Sequence, residues 1–205
     1  MRARPWGGAG TGSDAEQDRA PPEKVTELVH GDFFDFASID VALRGYDACF
    51  FCLAVSSAGV GEAEYTRLTY DLTMAAAEAV LGASPGISFV YVTGNGTDST
   101  ERGRGMWARV KGRTENALLR LPFRSAFMFR PGMIEALDGI RPRANLARML
   151  YALIGPFTPL LQTVAGKYIV TTGEVGRAMI AVVRSGYPKR VLEIEDIARA
   201  AAERG

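Results

Sequence analysis

The sequence predicts an α/β fold: a doubly wound parallel sheet with helices on both faces and a small, mostly helical C-terminal part. Three observations predict it. Residues 46–55, 87–93 and 125–130 are near-continuous apolar runs, the pattern of parallel strands covered on both sides. The segments between them, 61–81 and 103–120, carry helical patterning. Strand and helix then alternate along most of the chain, which sets the strands side by side and lays the helices across them.

The elements follow in order. Residues 1–24 are rich in Gly, Ala, Pro, Arg and acidic groups, show no hydrophobic periodicity and end in Ala20-Pro21-Pro22. Such a composition buries too little apolar surface to offset the entropy of ordering, so an irregular leader is expected. Residues 25–30 suit a short strand closed by Gly31-Asp32. Residues 37–43 form a helical turn or two, with Ser38 placed to cap it. The run 46–55 (YDACFFCLAV) reads as a central strand. The helix over 61–81 carries Leu68, Leu72, Ala75, Ala76 and Ala79 towards the core. The strand 87–93 (ISFVYVT), the helix 103–120 and the strand 125–130 (SAFMFR) follow, and Pro131-Gly132 breaks the chain. Beyond that, 141–165 read as helical and apolar, 168–170 as extended, 173–184 as a helix, 189–194 as a short strand and 196–204 as a closing helix. Residues 25–205 are read as one domain, with 141–205 as its substrate-side part.

Composition narrows the function. With 24 basic and 23 acidic residues the formal charge is +1, so nothing in the electrostatics favours nucleic acid as a partner. The most apolar later stretch, 146–170, is interrupted by Arg148, Pro156, Pro159, Gln162 and Lys167, whereas a membrane span needs about 20 uninterrupted apolar residues. A cytoplasmic protein without a transmembrane segment is expected. Cys49 and Cys52 lie three apart in a strand and point to opposite faces, so they are read as small buried core residues rather than a redox or zinc pair. His30, the one histidine, is read as a structural residue at a strand end, and no metal site is expected.

In open parallel sheets, ligands bind beyond the carboxyl ends of the strands. Those positions are Gly31-Asp32-Phe33, Ala54-Val55-Ser56-Ser57, Thr93-Gly94-Asn95-Gly96 and Arg130-Pro131-Gly132. All are small, polar or glycine-bearing, as a cofactor cleft requires. The charged run from Asp98 to Arg104 reads as a solvated loop leading into the helix, beside the entrance to that cleft.

The succession of Gly31-Asp32, Leu53-Ala54-Val55, Val92-Thr93-Gly94, Trp107-Ala108-Arg109-Val110-Lys111-Gly112 and Phe129-Arg130-Pro131-Gly132 resembles the short-chain dehydrogenase/reductase superfamily. Its atypical and extended, NAD-dependent epimerase/dehydratase-like branch is the nearest, and the segment from Val170 to Ala178 resembles that branch too. The resemblance covers about residues 25–195 and implies a Rossmann-like, NAD(P)-binding fold. It implies that Asp32 and Phe33 meet the adenine, that Leu53, Ala54 and Val55 line the adenosine path, and that Pro131 and Gly132 pack near the nicotinamide. It also implies that Lys111 hydrogen-bonds the nicotinamide ribose. Lys111 and Thr93 are the candidate catalytic groups, and a homodimer through the helices at 61–81 and 103–120 is implied as well.

Two departures shape the expected function. The superfamily's Tyr-x-x-x-Lys pair becomes Trp107-x-x-x-Lys111, and an indole is no general acid near neutral pH. The glycine-rich phosphate loop between a first strand and helix has no counterpart with the right context: Gly7-Gly8-Ala9-Gly10-Thr11-Gly12 follows no apolar strand. The fold is therefore expected to be N-terminally incomplete, with an apolar sheet edge exposed. The expected function is an NAD(P)-binding, epimerase/dehydratase-like protein, an oxidoreductase on a small molecule, using NAD or NADP. A non-catalytic NAD(P)-sensing or interaction protein and a truncated homologue without cofactor binding stay open beside it.

Overall fold

The computed structural model describes residues 25–135 and 169–203. The chain divides into two compact units, Met1–Gly31 and Asp32–Gly205. Of the first, residues 25–31 are described and adopt no regular secondary structure, so the strand expected at 25–30 is absent. A short strand needs neighbouring strands and a buried face to be stable, and here Val29 is 87% exposed.

The second unit opens with a 3-10 turn at Ala37–Leu43, then strand β1 (Ala48–Phe51), helix α1 (Glu62–Thr66), a π-helical turn (Arg67–Asp71) and helix α2 (Leu72–Ala83). Strand β2 (Ser88–Val92), helix α3 (Met106–Leu118), strand β3 (Ser125–Phe129) and the short β4 (Met133–Glu135) follow. After them come β5 (Ile169–Thr171), α4 (Thr172–Ser185), β6 (Val191–Leu192) and α5 (Ile194–Ala202). The apolar helix expected at 141–165 lies outside the described residues.

Strands β1, β2, β3 and β6 form a parallel sheet in that order, and β4 pairs with β5 in a separate two-stranded ribbon. Side chains alternate across the sheet. Phe89, Tyr91, Ala126 and Met128 pack with Ala77 and Val80 of α2 and with Leu118 and Phe123, where the Phe89 and Phe123 rings stack at 4.9 Å. Val90, Phe127 and Phe129 pack on the opposite face with Val175, Ala178, Met179 and Val182 of α4 and Ile197 and Ala200 of α5. Helices on both faces explain why β2 and β3 are apolar at consecutive positions. Each fully buried side chain such as Phe89 contributes about 1.5–3 kcal/mol of transfer free energy.

β1 is shorter than the apolar run that encodes it. Among the described residues it has a strand partner on one side only, and Phe50 and Leu53 are 42% and 41% exposed. Cys49 packs beside the α2 and α3 cluster, and burial pushes its thiol up to about 12. Cys52 is not the core residue expected: it stands exposed just past the end of the strand.

Local chemistry sets the helix ends. Ser38 falls inside the 3-10 turn and caps nothing; Asp35 Oδ1 accepts from the Ala37 amide instead, at 2.9 Å. The helix expected at 61–81 contains the π-helical turn, whose extra residue rotates the buried face. Tyr65, Thr69, Leu72, Thr73, Ala76, Ala77 and Val80 are buried, whereas Leu68, Ala75 and Ala79 are only half-buried. At α4, Thr171 and Glu174 form a reciprocal capping box. α5 starts two residues earlier than the sequence predicts, because the Glu193 amide donates to Asp196 Oδ2 at 3.3 Å and holds the first turn at Ile194.

Candidate functional site

Because the strands are parallel, their carboxyl ends share one edge of the sheet. Phe51, Tyr91 and Met128 stand in one row, so two residues further on Leu53, Thr93 and Arg130 mark that edge. The chains leaving β2 and β3 stay paired beyond the strands: the Thr93 amide donates to the Phe129 carbonyl and the Asn95 amide to the Pro131 carbonyl, each at 2.8 Å. Thr93, Pro131 and Gly132 are therefore held side by side. Leu53 and Ala54 are exposed and Val55 half-buried in the segment leaving β1.

The β2 loop turns tightly. The Gly94 carbonyl accepts from the Thr97 amide at 3.2 Å and from the Thr97 hydroxyl at 2.7 Å. Gly96 sits at φ +85°, and a Cβ there would stand 3.4 Å from the Trp107 ring. The positive φ is what favours glycine at this position. The Trp107 indole thus lies against the turn that follows β2.

Helix α3 carries Trp107, Lys111 and Glu115 at four-residue intervals, one stripe along its length. Its opposite requirement is close approach. A Cβ on Gly112 would fall 1.8 Å from the Asp98 carbonyl oxygen, so only glycine lets α3 seat the loop 98–103. Asp98 organises that loop by accepting from the Thr100 amide and hydroxyl and from the Gly103 amide. The Thr100 hydroxyl first, then the Gly103 amide, hold its carboxyl below the usual carboxylate range. Arg109 ties the same loop to α1, donating to the Gly103 and Arg104 carbonyls and to both carboxylate oxygens of Glu62.

The half-buried Lys111 ammonium donates to the Thr93 carbonyl at 2.8 Å. Burial lowers its pKa below the ordinary lysine value, and the Glu115 charge works in the opposite sense. Gly94 lies beside it: a Cβ there would make an ordinary contact with the ammonium nitrogen, at 3.9 Å.

Thr93 presents its carbonyl, not its hydroxyl, to Lys111. The hydroxyl points into the protein, 2.6 Å from Glu115 Oε1 and 3.0 Å from the Phe129 carbonyl. Glu115 is fully buried and forms a bidentate ion pair with Arg130, whose Nε stands 3.0 and 3.2 Å from its two oxygens. Arg130 reaches further, to Glu193 Oε1 at 3.1 Å and to the Ser99 hydroxyl. Burial opposes its charge, but the Glu115 and Glu193 carboxylates more than compensate, and its pKa rises. One guanidinium therefore joins β3, α3, the loop after β2 and the start of α5.

Asp32 and Phe33 sit apart from this cluster in an exposed turn, where Asp32 Oδ1 accepts from the Phe34 amide at 2.9 Å. A concavity of about 320 Å³ lies near them, lined by Phe34, Asp35, Asp40, Leu43 and Glu78 among others. Its acidic lining opposes an anionic ligand, and it is not at the strand ends.

A nicotinamide cofactor tests this geometry in two places. The Lys111 ammonium, with one N–H given to the Thr93 carbonyl and others to offer, fits a ribose hydroxyl. For the pyrophosphate, α1 is the first helix after a described strand, and it begins with Glu62 and Glu64. Both carboxylates are ion-paired, Glu62 with Arg109 and Glu64 with Arg67, so this helix start shows no cradle for a phosphate.

Of the residues the sequence singled out, Lys111, Thr93, Pro131 and Gly132 come together at this edge, and Glu115, Ser99 and Glu193, which it did not single out, stand among them. A signal existed. An arginine closing the apolar strand SAFMFR has to find an acceptor before it can be buried, and Glu115 lies one helical turn past Lys111.

No family model matches the chain. It is similar to the crystal structure of gox2253, with a TM-score of 0.53 and 16% identity over 80% of this chain and 55% of that one. It is similar also to DesIV, a dTDP-glucose 4,6-dehydratase from Streptomyces venezuelae solved with NAD and TYD bound. There the TM-score is 0.56 and the identity 17%, over 81% of this chain and 57% of that one. The chain thus spans little more than half the length of either structure. At these identities the likeness shows the fold alone: a Rossmann-like parallel sheet flanked by helices, with a helical C-terminal part.

Proposed function

We propose that this chain binds a nicotinamide dinucleotide, NAD or NADP, at the carboxyl edge of its sheet, as an epimerase/dehydratase-like protein of the short-chain dehydrogenase/reductase type. The observation that carries the reading is Lys111. Its ammonium is half-buried and anchored by a hydrogen bond to the Thr93 carbonyl, and an ammonium carries further N–H donors for a ligand. When bound, the cofactor supplies hydride chemistry; the chain's own residues hold and orient its ribose. Leu53, Ala54 and Val55 line the adenosine side of the path, and Pro131 and Gly132 the nicotinamide side. Asp32 and Phe33 remain the proposed adenine contacts. The substrate is a small molecule.

A second reading, a protein that senses or displays the cofactor without catalysis, is supported by Trp107. The residue four before the lysine carries no ionisable hydroxyl, and the Thr93 hydroxyl is committed to Glu115. Neither offers a proton at the cleft.

Calorimetric titration with NADPH and NADH tests the shared part of both readings. Saturable binding is expected, weakened at least tenfold in Lys111→Ala, since a hydrogen bond to a charged group contributes about 1.5–3 kcal/mol. Equal affinities of the two proteins would remove Lys111 from the site.

A further inference from the structure

We infer that Arg130 is a positioning residue for Lys111: by occupying the Glu115 carboxylate, it prevents that carboxylate from capturing the lysine and keeps the ammonium on the Thr93 carbonyl, available to a ligand. The inference rests on the functional reading for its consequence in binding, but its geometry stands alone. Lys111 and Glu115 are four residues apart on α3, the spacing at which lysine and glutamate pair along a helix. They do not pair here. Glu115 Oε1 accepts from the Thr93 hydroxyl and Arg130 Nε, and Oε2 from two Arg130 nitrogens. The carboxylate's acceptor directions are filled, and Lys111 turns to Thr93.

Thr93 is the hinge of the arrangement. Its hydroxyl bonds Glu115 while its carbonyl bonds Lys111, so one residue fixes both charges in place. Arg130 is itself held by Glu193 ahead of α5 and by Ser99 in the loop after β2. The charged groups around the pair are thus Glu115 on the helix of Lys111, Arg130 at the end of β3 and, beyond it, Glu193. Without the guanidinium, an uncompensated buried carboxylate lies one turn from an amine, and the two close on each other.

The sequence contains four lysines, Lys24, Lys111, Lys167 and Lys189, so lysine-labelled protein resolves the titration of Lys111 by nuclear magnetic resonance. In Arg130→Gln the pKa of Lys111 is expected to rise by about one pH unit or more, as an opposite charge close by stabilises the ammonium. NADPH affinity is expected to fall about tenfold. Adding Glu115→Gln to Arg130→Gln removes the competing carboxylate and should return both readings towards the starting protein, a rescue that lost packing would not produce. If Arg130→Gln fails to fold, Arg130→Lys decides the matter: its single ammonium cannot fill both oxygens, so Lys111 moves in the same direction by less. An unchanged Lys111 titration in a folded Arg130 variant overturns the inference, as does a double variant no better than the single. If the starting protein binds no NADPH, the functional reading fails while the lysine titration still decides this one.

Discussion

At the scale of single residues, the site is an arrangement of charges that the surrounding chain keeps apart. Lys111 is an amine destabilised as a cation by burial, next to a carboxylate already taken by Arg130. Trp107 stands one helical turn before that amine, on the same stripe of α3. Trp107→Tyr tests the stripe directly. The introduced phenol is expected to titrate about one pH unit or more below the ordinary tyrosine value of about 10, because the ammonium one turn away favours phenolate. Absorbance titration of the phenol reads this, with Trp107→Phe as the blank. An unshifted phenol would mean that position 107 and Lys111 do not share the cleft. The candidate groups Lys111, Pro131 and Gly132 were legible in the sequence because motif spacing marks them. The inward turn of the Thr93 hydroxyl was not, since its acceptor lies 22 residues away on another element.

At the scale of elements, close packing between α3 and the loop 98–103 fixes the chain that leaves β2. Gly112→Ala separates two effects of opposite sign. In an unencumbered helix the change stabilises by about 1 kcal/mol. Here the new methyl meets the Asp98 carbonyl at 1.8 Å, so the loop has to move, and a net loss of about 1–3 kcal/mol is expected in urea unfolding. A stabilised variant would show that the loop does not rest on the helix. Helices α3 and α4 and strands β2 and β3 were readable from periodicity, because burial on both faces imprints the sequence strongly. The π-helical turn after α1 was not, since no residue in Arg67–Asp71 announces an extra residue in the turn. Nor was β4: three residues following Pro131-Gly132 carry too short a pattern to distinguish a strand from a loop, and the partner that makes it one comes 34 residues beyond its end.

At the scale of the whole molecule, several carboxylates are tuned downwards. Asp98 is lowered chiefly by the Thr100 hydroxyl, and Glu174 by the Thr171 amide and hydroxyl. For Asp196, burial pushes upward, but the Lys189 ammonium and the Glu193 amide together pull its pKa below the usual value. Each folded-state pKa lies below the unfolded one, so the stabilisation is complete above the ordinary carboxylate range and is lost as pH falls through the depressed values. The urea midpoint is therefore expected to be level from pH 7 to about 5 and to drop steadily towards pH 3. A midpoint that held constant to pH 3 would contradict the three capping and loop contacts.

The fold class was legible for the same reason that the partner of β1's free edge was not. Apolar runs record that a strand is buried, but not which strand lies beside it. Residues 46–55 read as a central strand, yet among the described residues β1 is an edge, with Phe50 exposed. The strand ends nevertheless converge where a parallel sheet places a ligand, and the question they raise is whether a dinucleotide binds there. Calorimetric titration of the 205-residue chain with NADPH and then NADH asks it most directly. The account predicts saturable binding that Lys111→Ala weakens at least tenfold. A folded chain that takes up neither nucleotide would contradict it.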